Sequence, residues 1–235
     1  MKIYLVNLDK NQDRLRDVDA RLTKLGITYE RIPAVYGKAL SDTELKMSKR
    51  RFRMWCALGY DMEPGQIGCA LSHVEIYRRL LASGEDMCCC LEDDVYPDER
   101  FAEQLRRVSE WVDPTKPQVV LLTNYTKEDC AEWTIRPAVW DHSTEAYVIT
   151  APAARNILRT NYPVATPADW WGYRQTHGLL RFYHAFPTVF HHDWMNESGY
   201  QSDVCTIPIR HPGIKKLIWK LKRIVGKTLD RIMPL

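Results

Sequence analysis

Residues 87–97 read MCCCLEDDVYP. The apolar stretch Met87–Leu91 gives way at once to three acids, Glu92, Asp93 and Asp94, and Pro97 closes the segment. An unbroken apolar run of this length reads as a strand buried on both faces, the form strands take in a parallel sheet covered by helices. The cysteines fit that reading, because an unoxidised cysteine packs as a small apolar residue. In open α/β sheets, ligands bind beyond the carboxyl ends of the strands, and the acids stand at such an end. Adjacent carboxylates repel one another and resist losing water. A divalent cation relieves both difficulties, and oxygen ligands select hard ions such as Mn2+ or Mg2+. In extended chain, residues i and i+2 point the same way. Glu92 and Asp94 are therefore placed to share an ion while Asp93 points elsewhere. Taken alone, a solvated acidic turn before Pro97 explains the triplet equally well.

The flanking sequence alternates strand and helix. Residues 67–82 place Ala70, Val74, Tyr77 and Leu81 on one helical face. Beyond the acids come a helix over 98–111 and a strand over 118–123 (QVVLLT). The chain opens with a β-rich run, 2–7 (KIYLVN), and a helix over 11–25. That helix carries Leu15, Val18, Leu22 and Leu25 at helical spacing and stops at Gly26. A second strand spans 27–32, ahead of Pro33, and Ser41 with Glu44 has the spacing of a capping box. Residues 52–65 show no clear period and read as a loop. Strand 145–150 (EAYVIT), helix 151–160, a helical stretch 168–177 and a strand near 181–186 complete the body. The alternation implies an α/β domain, a mostly parallel sheet flanked by helices, over residues 1–212.

Composition bounds the rest. The 235 residues suit one large domain with an appendage. The opening lacks the apolar core and cleavage site of a secretory signal. No window holds the roughly 18 uninterrupted apolar residues of a membrane span. The seven cysteines are odd in number and include no C-x-x-C pair, which points to reduced thiols in a cytoplasmic protein. Residues 213–235 hold seven Lys/Arg against one Asp, although the whole chain is only +3, so a basic tail follows a mildly acidic body. That distribution argues against nucleic-acid binding, which needs basic residues spread over a docking face. Oligomeric state leaves no trace in the sequence.

The opening IYLVNLDKNQDRLR, the block PGQIGCALSH (64–73) and LEDDV (91–95) together resemble glycosyltransferase family 25, the bacterial lipopolysaccharide and lipooligosaccharide glycosyltransferases. EAYVIT followed by a helix, and PAD (167–169), resemble later landmarks of that family. The resemblance runs from residue 1 to about residue 205. It implies a GT-A-type, Rossmann-like fold that binds a nucleotide sugar through a metal. It implies inverting transfer, often of galactose from UDP-galactose, to a lipooligosaccharide core. By position, Glu92, Asp93 and Asp94 match the family's acidic motif. Gly68, Ser72 and His73 match the G-C-x-L-S-H block. Asn7, Asp9 and Arg14 match the opening donor-side block, and Asp169 matches a later lone aspartate. Gln66 departs from the pattern, standing where Glu is common.

The matched residues, and an aromatic group beside Asp169 that is not part of the family pattern, have expected roles. Asp94, with Glu92 or Asp93, would hold Mn2+ or Mg2+, and the late pair His191 and His192 would complete the shell. Asn7, Asp9, Arg14, Ser72 and His73 would face the UDP-sugar donor. A turn residue, a surface ion pair and a hydrogen-bonded core histidine are the plainer readings of Asn7, Arg14 and His73. Trp170, Trp171 and Tyr173 would form an acceptor-sugar platform, with core packing as the alternative. Asp169 would be the general base, with Glu145, Asp193 and Glu197 in reserve; a helix N-cap explains it equally well.

A nucleotidyltransferase or another metal-dependent sugar-nucleotide enzyme shares the sheet and the acids, but usually brings a Gly-rich phosphate loop, and no such pattern exists here. A non-catalytic membrane-associated binding protein would not need three clustered acids. In residues 214–232, Ile214, Leu217, Ile218, Leu221, Ile224, Val225, Leu229 and Ile232 recur at helical spacing among Lys215, Lys216, Lys220, Lys222, Arg223, Lys227 and Arg231. Such a helix lies in a membrane interface, with each cation worth roughly 1 kcal/mol near anionic lipid. It would hold a cytoplasmic enzyme at the inner face of a bacterial inner membrane, beside a lipid-linked oligosaccharide acceptor. Full-length protein should co-sediment with anionic liposomes and a 1–212 truncation should not; equal sedimentation removes the membrane role.

Overall fold

The computed structural model describes residues 1–59, 61–123, 130–139 and 141–191. The chain runs β1 (Lys2–Asn7), α1 (Gln12–Lys24), β2 (Glu30–Pro33), a 3-10 turn (Gly37–Ala39), α2 (Asp42–Met47), α3 (Arg51–Leu58) and α4 (Pro64–Ser83). Then come β3 (Met87–Glu92), β4 (Tyr96–Pro97), α5 (Phe101–Trp111), β5 (Gln118–Leu121), β6 (Thr134–Pro137) and β7 (Ala146–Thr150). α6 (Ala151–Asn161), α7 (Trp171–Thr176), β8 (Arg181–Phe186) and β9 (Phe190–His191) follow. His192, Asp193, Glu197 and the basic segment 213–235 lie outside the described residues.

Seven strands form one sheet in the order β2-β1-β3-β7-β5-β8-β6. β1 runs parallel to β2 and β3, and β5 runs parallel to β8. β7 enters antiparallel between β3 and β5, and β6 is antiparallel to β8 at the edge. Five strands thus share one direction, and the α/β sheet flanked by helices is present. The direction of β7 is not encoded in its apolar pattern, since a strand buried on both faces looks the same either way round.

Strand alternation divides the core into two layers. Cys88 and Cys90 face α4 and α6 together with Tyr4, Tyr77, Tyr147 and Ile149. Cys89 and Leu91 face α1 and α5 through Val18, Leu22, Phe101 and Val108. All three consecutive cysteines are fully buried, as small core residues of a strand should be.

Two elements depart from the sequence reading. The stretch expected to be a loop over 52–65 contains α3, whose Met54, Cys56, Ala57 and Leu58 are buried. Its inner side packs on Ile67, Ala70, Val164 and Ala168, so tertiary contact rather than local period makes this short helix. β6 was not anticipated either; it is a half-exposed edge strand ending in Pro137, which the edge tolerates. The capping box at Ser41 is present, with the Glu44 amide donating to the Ser41 hydroxyl and the Ser41 amide donating to the Glu44 carboxylate.

One backbone contact shapes the site wall. Residues 35–37 lie directly on the first turns of α4. A Cβ on Gly68 would stand 2.5 Å from the Val35 carbonyl oxygen and 2.6 Å from the Gly37 nitrogen, and a Cβ on Gly37 would stand 1.7 Å from the Pro64 carbonyl oxygen. The Ser72 hydroxyl fastens the contact, accepting from the Val35 amide at 2.8 Å and donating to the Gly68 carbonyl at 2.8 Å. Because the opposing atoms are backbone, a methyl group cannot be absorbed by a side-chain shift. Gly68→Ala should lower the unfolding free energy by about 1–3 kcal/mol, the scale of overpacking, measured by denaturant unfolding. An unchanged midpoint would mean that the two backbones do not touch.

Candidate active site

The alternation of β3 continues into the acids and sends them to different sides of the sheet. Glu92 faces α4, where its Oε1 lies 3.2 Å from His73 Nε2. Asp93 faces α1. Its Oδ2 accepts from Asn7 Nδ2 at 2.7 Å, and its Oδ1 accepts from Arg14 Nη1 at 3.3 Å. Asp94 turns back toward the cavity, 4.0 Å from the same Arg14 nitrogen. Its side chain is 43% exposed, yet its Oδ1 is buried with no hydrogen-bond partner among the described residues.

Each environment sets a different charge balance. Burial pushes the Glu92 carboxyl up, but the hydrogen bond and charge of His73, with Thr144 and Arg14, outweigh it and hold the group below its ordinary value. An ionised Glu92 makes His73 Nε2–H the donor. That leaves Nδ1 to pair with the Tyr147 hydroxyl at 2.7 Å, which in turn meets the Tyr77 hydroxyl at 2.9 Å. Burial raises Asp93 despite Asn7 and Arg14. Asp94 is pushed up to about 7 by burial first and then by the charges of Glu92 and Asp93, with Arg14 opposing. Water at its exposed face moderates that shift.

A cavity of about 110 Å³ opens over the ends of β1 and β3. Asn7, Arg14, Ser72, His73, Glu92, Asp93 and Asp94 all line it, together with Tyr36 and Cys69. Asn7 is fixed by its bonds to Asp93 and to the Asn11 carbonyl, and it accepts from Arg31 Nε at 3.0 Å. Asp9 does not line the cavity; it is exposed and paired with Arg31 at 2.5 Å, so its link to the site runs through Arg31 and Asn7. Ser72 lines the wall with its hydroxyl committed to the backbone. Arg14 is a buried partner of Asp93, not a surface ion pair.

The loop after α6 carries the later residues. Arg174, fully buried, donates to the carbonyls of Ala168 at 2.9 Å and Pro167 at 2.8 Å, and Asn161 binds the Ala165 and Thr166 amides. Asp169 is the next residue. It is not a helix cap, because Trp170 occupies that position without a side-chain bond. Burial raises the Asp169 carboxyl, opposed by His142 and Arg174 and assisted by Glu92, and its charge is felt at Cys69. Trp171 corrects the aromatic platform. It is fully buried, donates its indole N–H to the Ser143 carbonyl at 2.7 Å and packs on Tyr147. Successive helical residues point about 100° apart, so one tryptophan of the pair turns inward. Trp170 and Tyr173 stay partly exposed, with ring centroids 5.6 Å apart. His191 belongs to β9, whose backbone pairs with β4 opposite Tyr96.

Sequence reasoning missed Cys69, Tyr147 and Thr144. Cys69 stands one helical turn before His73, a spacing visible in the sequence; Tyr147, inside an apolar strand, carried no signal. A hard cation fits the site at Asp94, whose unpartnered buried oxygen and raised carboxyl are what an ion would relieve, with Glu92 beside it.

A family model described as "Glycosyltransferase family 25 (LPS biosynthesis protein)" matches residues 1–171. A "Glycosyltransferase 25 family member" of Aedes aegypti is 29% identical over 171 residues, covering 66% of this chain and 27% of that protein. "Procollagen galactosyltransferase 2" of Mus musculus is 24% identical over 242 residues, and that of Homo sapiens 21% over 239, each covering 88% of this chain and 38% of the relative. The chain spans between about a quarter and two fifths of the length of these curated relatives.

The raised Asp94 carboxyl has a signed consequence. The folded chain keeps this proton to higher pH than the unfolded chain, so stability falls as pH climbs from the ordinary carboxylate range through about 7 and then levels. Asp94→Asn removes that loss. With chelator present, the variant should gain stability relative to the parent between about pH 4.5 and about pH 8. A difference that stays flat across the range would count against the shift.

Proposed function

The chain belongs to glycosyltransferase family 25, and on that premise we propose that it transfers galactose from UDP-galactose, with inversion, to a lipooligosaccharide core sugar. The observation that carries this reading is the buried, unpartnered Oδ1 of Asp94 in a cavity walled by Asn7, Arg14 and Glu92. The relatives named as galactosyltransferases support the donor sugar, and the family description supports the acceptor.

Asp94 and Glu92 would hold Mn2+ or Mg2+, which when bound offsets charge developing on the diphosphate leaving group. Asp93 does not compete for that duty; it fixes Asn7 and Arg14 against the cavity wall. Arg14 presents its guanidinium between Asp93 and Asp94 and complements the anionic donor. The acceptor hydroxyl passes its proton to Asp169 as its oxygen bonds to the anomeric carbon and the bond to UDP breaks. A raised carboxyl is a better base for this step. Arg174 positions Asp169 by clamping the preceding backbone. Trp170 and Tyr173 offer apolar surface to a sugar face. Residues 214–232 would hold the enzyme on anionic lipid near its acceptor; among the described residues no helix is long and apolar enough to cross a membrane.

Two substitutions separate the roles. Asp94→Asn should abolish transfer and weaken Mn2+ and UDP binding while leaving the fold intact; full activity, or equal activity in excess chelator, removes the metal role. Asp169→Asn should leave UDP-galactose binding near normal while kcat falls by about 10²-fold or more, the scale of general-base catalysis. Turnover within a few-fold of the parent would place the base elsewhere.

A further inference from the structure

The proposed transfer reaction assigns Cys69 no role, yet Cys69 lines the cavity beside His73 and Glu92. It lies one turn before His73 on α4, and both side chains face the end of β3. The Cys69 sulfur, a ring nitrogen of His73 and a carboxylate oxygen of Glu92 lie within 4.8 Å of one another. We propose that Cys69, His73 and Glu92 form a binding site for a thiophilic divalent cation of the zinc type, centred away from Asp94 and sharing only Glu92 with the hard-ion site proposed there.

Three features of the geometry support it. The donor set includes a thiolate sulfur beside nitrogen and oxygen, which favours zinc over Mn2+ or Mg2+, ions that bind thiolate poorly. The spacing is right: Cys69 and His73 at i and i+4 share a helical face, and Glu92 meets them from the strand. The outer shell is also built. A metal-bound histidine almost always has its second ring nitrogen hydrogen-bonded, which fixes the ring. Here His73 Nδ1 pairs with the Tyr147 hydroxyl at 2.7 Å, itself backed by the Tyr77 hydroxyl at 2.9 Å, and all three residues are buried. The Nδ1 bond fixes the ring so that Nε2 points at Glu92 and toward the Cys69 sulfur. The three residues line the cavity, so water can supply the fourth ligand of a tetrahedron. On binding, the Cys69 S–H bond breaks, the sulfur bonds to the ion and that proton leaves to water; the His73 proton moves from Nε2 to Nδ1, which then donates to the Tyr147 hydroxyl while Nε2 bonds to the ion.

The site does not depend on sugar transfer, because a metal would bind the trio in a protein that transferred nothing. It does bear on the enzyme, since Glu92 held in the trio is withdrawn from an ion at Asp94.

Co2+ and Zn2+ titrations of the full chain under thiol-free reducing conditions test it. The parent should take up one Co2+ with the intense ultraviolet charge-transfer band of a thiolate ligand, displaced by Zn2+. Cys69→Ser should lose the band and weaken Zn2+ by at least about 100-fold, the upper end of what losing an outer-shell partner costs. Tyr147→Phe should keep the band and weaken Zn2+ by roughly 10–100-fold. Asp94→Asn should keep both band and affinity. A band that survives Cys69→Ser, or disappears in Asp94→Asn, overturns the proposal. If Cys69→Ser does not fold, alkylation of the parent decides: Zn2+ must protect Cys69 from iodoacetamide, mapped by mass spectrometry, and alkylation at the metal-free rate rules the site out.

Discussion

Three carboxylates at the end of one strand cannot all be buried unpaired, and the arrangement around β3 follows from that constraint. Strand alternation sends Glu92 and Asp93 to opposite faces of the sheet, so each must find its own partner in a different helical layer. α4 supplies His73 to one and α1 supplies Arg14 to the other. β1 contributes Asn7 as a second partner of Asp93. The first and fourth helices are thus tied not only by apolar packing but by a charge problem that each helps to solve. Asp94 has only the distant edge of Arg14, and its Oδ1 has no hydrogen-bond partner among the described residues, so it keeps much of the cost of its burial, and that residual cost is what makes it the chemically available member of the triplet.

The supports behind these groups are as particular as the groups themselves. The loop bearing Asp169 is held at its start by Asn161 and just before the aspartate by Arg174, whose guanidinium is spent mainly on backbone carbonyls. The segment 35–37 would drift from α4 without the glycine contact and the Ser72 bond. Tyr77 and Tyr147 form a buried polar pair inside an apolar layer, tolerable because every hydroxyl has a partner. The cavity is therefore rigid where polar groups converge, the condition under which preorganised charges act most strongly.

Much of this was legible in the sequence, and the gaps have physical causes. The continuous apolar run, the helical repeats and the capping box gave the element order because each is a local periodicity. α3 was hidden because its helix depends on contacts with Ile67 and Val164, not on its own pattern. The reversed direction of β7 was hidden because burial on both faces carries no polarity along the chain. Around the site, the acids, Asn7, Arg14, Ser72 and His73 converge on one cavity, and the blocks that mark them stand in the sequence as short distinctive strings. Which of Trp170 and Trp171 turned inward was not readable, since adjacent aromatics look alike until the helix phase is fixed. Arg174 was invisible for the opposite reason: a buried arginine that serves mainly backbone carbonyls leaves no motif.

The placement of β7 also bears on how the chain acquires its structure during synthesis. β3 and β5 are complete before β7 is made, yet they never touch each other; β7 pairs with both. A nascent chain carrying residues 1–121 therefore has the three strands β2-β1-β3 with one open inner edge, and a β5 whose partner strands are both still to come. Tyr147, which fixes His73, is on the missing strand, and Arg174 comes later still. The amino-terminal acids thus wait, exposed, for a strand translated more than fifty residues after them. Vectorial folding cannot finish the front half first. An open edge and an unpaired strand are sites where chaperones or neighbouring nascent chains gain access, and this fold leaves β3 and β5 in that state until its second half has left the ribosome.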